Sequence, residues 1–248
     1  MFDILIPSAE KDFVKFKFVY DSIVKYIEGY KGIFCISPVK VPGNLKIIGV
    51  NYFLDSDVID FDFSLYKGNI QKRTGWYRQQ FVKLFQNVTG DEYLVTECDN
   101  IYNKKVTIIE DEKPVFLLGK DQNHKPYYDI TQKLFGFGRE YPYSFINEVM
   151  YIKRNFVNEL VSLRGLNKHG FFGLIASELN RTQEISGLSD YDLYGNFVAK
   201  YHKDAYLYKQ VDTVVTAKLK EWSAAEINKH LQQHTASNNS MIKIHSWI

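Results

Sequence analysis

The first fifty residues restrict the fold more than any other part of the chain. Phe2 to Ile6 is a short apolar run stopped by Pro7, which reads as a buried strand. From Lys11 to Tyr30 apolar residues recur three or four apart: Phe13, Phe16, Val19, Tyr20, Ile23, Val24 and Ile27. That spacing predicts a helix, and Gly29 and Gly32 bracket its end. Two more apolar runs, Gly32 to Ser37 and Leu45 to Val50, flank a turn-like segment containing Pro38, Pro42 and Gly43. Strand, helix, strand, strand at such spacing predicts an α/β domain with a largely parallel sheet.

The remainder continues this pattern. A loop carries Asp55, Asp57, Asp60 and Asp62, and reads as a solvated loop. The segment TGWYRQQFVKLFQNV predicts a helix with Tyr77, Phe81, Leu84, Phe85 and Val88 on one apolar stripe. Trp76, Gln79 and Lys83 fall roughly opposite, with Arg78 and Gln80 on the flanks; a Trp there suits either a ligand or packing under a loop. YLVTECDN follows as a strand. VTIIEDEKPVFLLG alternates like an antiparallel pair turning near Glu110 to Lys113. Residues 120–144 show no clean period and read as a long functional loop. Phe145 to Ile152 is strand-like, while Asn155 to Leu163 and Phe171 to Leu179 are helical. Ser189 with Asp192, and Ser223 with Glu226, predict capping boxes at the starts of two later helices. SMIKIHSWI is a terminal strand or tail. There is no repeat or linker, so a single domain is expected.

Composition narrows the function class. With 31 basic and 29 acidic residues the chain lacks the basic excess of a nucleic-acid binder. Its 18 Tyr and 18 Phe suit hydroxylated ligands, but ordinary core packing explains them as well. The two cysteines, Cys35 and Cys98, lie in apolar runs and read as free thiols, which fits a reducing compartment. The N-terminus lacks the pattern of a signal peptide, and no run approaches the ~18 apolar residues of a membrane span. A cytoplasmic protein is expected.

The chemistry concentrates in YLVTECDN. In a strand, Glu97 and Asp99 would project together and Cys98 away from them. Two adjacent like charges call for a cation, and a divalent metal is the usual one. Alone, E-x-D also fits a solvated turn. Its context sharpens it, because ligands of open α/β sheets bind at the carboxyl ends of the strands.

The order ILIPSAEKD, GWYRQQFVKL, YLVTECDN, SDYDLYGNF resembles glycosyltransferases of the nucleotide-diphospho-sugar transferase fold, called GT-A, over roughly residues 1 to 210. It is most similar to an uncharacterised bacterial and viral group with a W-x-x-Q-Q helix before a D-x-D-like strand end. The resemblance implies a Rossmann-type open mixed sheet flanked by helices. It implies a nucleotide-sugar-binding half, residues 1 to about 100, and an acceptor-binding half, about 101–248. It implies a UDP- or GDP-sugar donor, a hydroxyl acceptor such as a glycan, and Mn²⁺ or Mg²⁺. Pro7, Ser8 and Lys11 would meet the nucleotide, and Tyr77, Arg78, Gln79 and Gln80 would flank the donor sugar. Asp99 would ligate the metal. Glu97 stands where the family has Asp, and would ligate it or bind the ribose. Of His202, His230, His234 and His245, the last is taken as third ligand, against the plainer reading of a surface or tail histidine. Asp190 is the candidate base for an inverting transfer, and Asp192 chiefly holds the helix start.

Three other readings compete with this one. A sugar-phosphate nucleotidyltransferase has the same fold but normally a Gly-rich basic loop after its first strand, and PSAEKDF has no glycine. A non-catalytic carbohydrate-binding module would explain the aromatics but not the acid pair. A two-metal nuclease or phosphatase would need more carboxylates gathered near one strand, which the loop from Asp55 to Asp62 would have to supply.

Overall fold

The computed structural model describes residues 1–119, 123–215, 222–234, 237 and 239–245. The chain begins with β1 (Phe2–Pro7), α1 (Phe13–Tyr26) and β2 (Tyr30–Ser37). All six residues of β1 are buried, as expected for a strand covered on both faces. The first helix is shorter than its apolar pattern. Ile27 is extended and Gly29 takes a φ of 82°, which turns the chain into β2.

The third strand is displaced from its expected position. Leu45 to Val50 is not a strand; β3 is Val50–Leu54, paired in parallel with Ile33 to Ser37. Gly49, at φ 89°, makes the turn, and Ile48 is left 97% exposed. Local hydrophobicity favoured the earlier run, but the register against β2 selects the later one. A short α2 (Asp55–Val58) follows, then α3 (Thr74–Phe85) and β4 (Glu92–Thr96).

Next come β5 (Asn100–Tyr102), β6 (Ile109–Glu110) and β7 (Lys113–Leu118). The β6–β7 hairpin turns at Asp111 and Glu112, both at positive φ, as its alternation predicts. The long loop read over residues 120–144 contains α4 (Lys125–Phe135). Pro126 in its first turn and left-handed Gly136 after its last were the available signals. Then follow β8 (Val149–Lys153), α5 (Arg154–Ser162), α6 (Lys168–Thr182) and α7 (Asp190–Tyr201). The strand expected from Phe145 begins only at Val149, after Glu148 at φ 58°. The chain continues with β9 (Leu207–Gln210), β10 (Thr213–Val215), α8 (Ala224–His234) and β11 (Met241–Lys243). The last three residues of the expected terminal strand lie outside the described residues.

The main sheet has the order β3-β2-β1-β4-β8; the first four strands are parallel and β8 is antiparallel to β4. It is the open mixed sheet expected. Two small sheets, β10-β11-β5 and β6-β7-β9, accompany it. The chain runs outward from β1 to β3, then returns to the other side of β1 as β4. The carboxyl ends of β1 and β4 thus form the topological switch point where open α/β sheets bind ligands. The aromatic excess fills the core: Phe61 stacks on Phe172 at 4.9 Å, amid Phe63, Phe81 and Phe85. Both cysteines are buried and free.

Candidate active site at the switch point

Strand β4 ends at Thr96, so Glu97 and Asp99 lie in the turn to β5 rather than on a strand. The Asn100 amide donates to the Glu97 carbonyl at 3.1 Å and closes that turn. Strand alternation therefore does not apply, and each acid meets its own lysine. Lys83 on α3 donates to Glu97 at 2.7 Å, and Lys15 on α1 donates to Asp99. Cys98 is buried between them, its thiol 3.5 Å from the Asp12 carbonyl.

Lys15 is fully buried and committed. Besides Asp99 its ammonium meets the Asp12 carboxylate at 2.7 Å and the Ile244 carbonyl at 3.1 Å. One cation with three donors thus ties α1, the β4–β5 turn and the segment after β11 together. Burial works against its charge, but Asp99 and Asp12 outweigh it and raise its pKa. Asp99 itself is pushed up to about 6 by burial, against the pull of Lys15.

Lys83 is the second junction. It meets Glu97 and, at 3.0 Å, Asp190 in the first turn of α7. It also lies 4.1 Å from the centroid of the Tyr191 ring, whose hydroxyl donates to Glu97 at 3.0 Å. The lysine is shared unequally. Burial opposes ionisation of Glu97, yet Lys83 and Tyr191 hold it below the usual carboxylate range. Asp190 is pushed up to about 6 by burial, only partly offset by Lys83, with the Glu97 charge adding to the rise.

The sequence missed both lysines. Lys83 was expected on the polar face of its helix. In fact α3 packs on β1 and on α7, so nearly all of its second half is buried, Lys83 included. Lys15 sits four residues before Val19 and eight before Ile23, a charge inside an apolar stripe; that was the available signal.

The other expected site residues divide into groups. Pro7 ends β1 and Ser8 is buried beyond it, its amide donating to the Ile36 carbonyl at 2.9 Å. Lys11 is exposed in a short turn of 3₁₀ helix. Tyr77 is fully buried; its hydroxyl donates to the Ile185 carbonyl at 3.1 Å and accepts from the Gly187 amide at 3.2 Å. Arg78 is held by Asp55 at 2.6 Å, so Asp55 is buried and ion-paired rather than solvated. Gln79 is half-buried, while buried Gln80 accepts from the backbone amide of Asp190 at 2.8 Å. Trp76 is covered by the Arg73 guanidinium at 4.1 Å.

The start of α7 also differs from its expected form. Asp190 does not project outward; it is 4% exposed and faces Lys83. The capping box at Ser189 is half-formed. Ser189 accepts from the Asp192 amide at 3.4 Å, but the Asp192 carboxylate accepts from the Phe145 amide at 3.1 Å. The box at Ser223 and Glu226 is complete in both directions.

His245 is buried after β11, 3.7 Å from Glu148, a carboxyl that burial and the charges of Glu97 and Asp99 push up to about 7 against the pull of Lys243. Among the described residues no three His, Cys, Asp or Glu side chains are gathered to hold a metal ion. Oxygen and imidazole donors suit Mn²⁺ or Mg²⁺. As arranged, however, Glu97, Asp99 and His245 do not fit one, because Lys83 and Lys15 hold the two carboxylates. His202 lies elsewhere, stacked on Phe156 and 2.9 Å from Glu159. Among the described residues no helix is long and apolar enough to cross a membrane.

No protein-family model matches the chain, and no curated protein matches it. Solved structures do. An active-site mutant of LgtC is similar over 98% of this chain and 86% of its own, at 11% identity and a TM-score of 0.51. The galactosyltransferase LgtC with donor and acceptor sugar analogues gives the same coverage and identity at a TM-score of 0.48. Mouse xyloside xylosyltransferase 1 gives 8% identity, 97% coverage of both chains and a TM-score of 0.43. At such identities the likeness is one of fold: the chain has the mixed α/β architecture of the GT-A glycosyltransferases.

Proposed function

We propose that the chain is a glycosyltransferase, moving a sugar from a UDP- or GDP-sugar to the hydroxyl of a glycan or related acceptor. One observation supports this most. In a glycosyltransferase fold, Lys83 draws Glu97 at the end of β4 and Asp190 at the start of α7 together beside the switch point.

In this reading the nucleotide lies across the ends of β1 and β4, near Pro7, Ser8 and Lys11, with Arg78 and Gln79 toward the donor sugar. Residues from about 101 onward form the acceptor side. Asp190 takes the proton of the attacking hydroxyl as its oxygen bonds to the anomeric carbon. The bond to the diphosphate breaks, and its electron pair leaves on the phosphate oxygen. A carboxyl near 6 is a stronger base than one at 3.8, yet is mostly ionised at neutral pH. Lys83 and the Gln80 contact to the Asp190 amide fix the position of that base. The Asp192 contact to Phe145 anchors the helix turn that carries it.

The test is a panel of UDP- and GDP-sugars, read by thermal shift and by release of nucleoside diphosphate. Asp190→Asn should lower turnover by about 100-fold or more with donor binding intact. Unchanged turnover removes Asp190 as base. A panel in which no nucleotide sugar binds, with or without Mn²⁺, removes the transferase.

A further inference from the structure

The acids at the switch point have their cations built into the chain. Glu97 and Asp99, the pair that would otherwise recruit a metal, are each in contact with a buried lysine. These lysines are not surface residues that have folded inward. The Lys15 side chain is 0% exposed and the Lys83 side chain 3%, and each rises from a helix packed into the core. Lys15 donates to Asp99 and to the Ile244 carbonyl and is ion-paired with Asp12. Lys83 has two carboxylates and an aromatic face. Ionised carboxylates and ammoniums in such contact attract strongly where water is excluded. A divalent cation brought to the same oxygens would face two fixed positive charges a few ångströms away.

We propose that Lys15 and Lys83 do the charge-neutralising work of a divalent cation at the end of β4, so that nucleotide binding by this chain is independent of metal. The nucleotide part rests on the transferase reading above; the lysine part does not. Lys15 offsets one of the two charges of Asp99 and Asp12, and Lys83 one of the two charges of Glu97 and Asp190. The acids at the end of β4 then present two fewer negative charges to a diphosphate, and it is these lysines rather than a bridging ion that lower the repulsion.

Two measurements test this. In the first, UDP, GDP and their sugars are titrated calorimetrically into the full chain in EDTA and in Mn²⁺. Affinities within about twofold are expected, whereas an ion bridging the diphosphate would make them differ by about 100-fold or more. The larger difference overturns the proposal. In the second, melting temperature is followed against Mn²⁺ with no nucleotide present. The wild-type chain should shift by less than about 1 °C, because nothing binds the folded state. Lys15→Met strands the Asp99 and Asp12 charges, and should melt about 10 °C lower with several degrees restored by Mn²⁺. A Mn²⁺-dependent rise in the wild type overturns the proposal, even if Lys15→Met does not fold. If no nucleotide binds under any condition, the transferase reading fails, and the wild-type response to Mn²⁺ still decides the role of the lysines.

Discussion

Gly195→Ala tests the packing that positions the first turn of α7. Gly195 lies within that helix, and an added Cβ would come within 2.6 Å of Cδ2 of Phe145, and closer still to Cγ and Cδ1. Ordinary carbon contact begins near 3.4 Å, so the ring must retreat by about 1 Å. It has little room to do so. Phe116 lies 5.1 Å from it, Tyr141 5.8 Å and Tyr208 6.3 Å, centroid to centroid. Overpacking of this kind costs about 3 kcal/mol, and the better helix propensity of Ala returns about 1. The net loss of about 2 kcal/mol corresponds to a melting temperature about 4–8 °C lower in a chain of this size. Gly173→Ala is the control. Gly173 is inside α6 with nothing within 4 Å of its added Cβ, so the same change should raise the melting temperature by about 2–4 °C. Calorimetry or circular dichroism reads both. A Gly195→Ala chain as stable as the wild type would show that α7 and Phe145 are not packed as described, and would remove the argument for the placement of Asp190.

Other consequences follow from single contacts. Tyr77→Phe removes the hydroxyl that bridges the Ile185 carbonyl and the Gly187 amide, and should cost about 1–3 kcal/mol in denaturant unfolding, with nucleotide affinity unchanged. A selective loss of affinity would instead return Tyr77 to the donor site. Arg78→Ala leaves Asp55 buried without its cation, and should lower the melting temperature and make it recover as pH falls and Asp55 becomes protonated. A pH-independent loss would contradict that pairing. Asp190 and Asp192 are both raised to about 6, so between pH 4 and 6 the folded chain binds protons that the unfolded chain has lost. Their stabilising contribution is full below about 4 and is lost as pH rises through 6. Glu97 acts the other way, its contribution present above its ordinary value of 4.5 and lost as pH falls from there through its lowered pKa. Melting temperature should therefore rise from pH 7.5 toward about 5, less steeply in Asp192→Asn. A flat profile in the wild type would refute the burial argument.

The sequence by itself determined the architecture. The β1 run, the 3.6-residue period of α1 and the apolar run of β2 have one economical arrangement, strands in parallel with helices covering them. The β6–β7 hairpin and the Ser223–Glu226 cap are as local as their residues suggest. Where the reading failed, a partner decided. The position of β3 depends on its register with β2. Helix α4 is the exception: its buried Tyr128, Thr131, Leu134 and Phe135 recur at helical spacing, but the polar and glycine-containing residues around them hid the period. The site divides in the same way. Glu97, Asp99, Asp190 and Asp192 could be singled out as carboxylates at element ends, where ligands and caps are found. Their protonation and partners could not, because these depend on Lys15 and Lys83 from helices distant in sequence. A lysine reads as surface until both sides of its helix are covered. Only the packing of α3 between β1 and α7, and of α1 against β5, excludes water from these two ammoniums and makes them internal counter-charges.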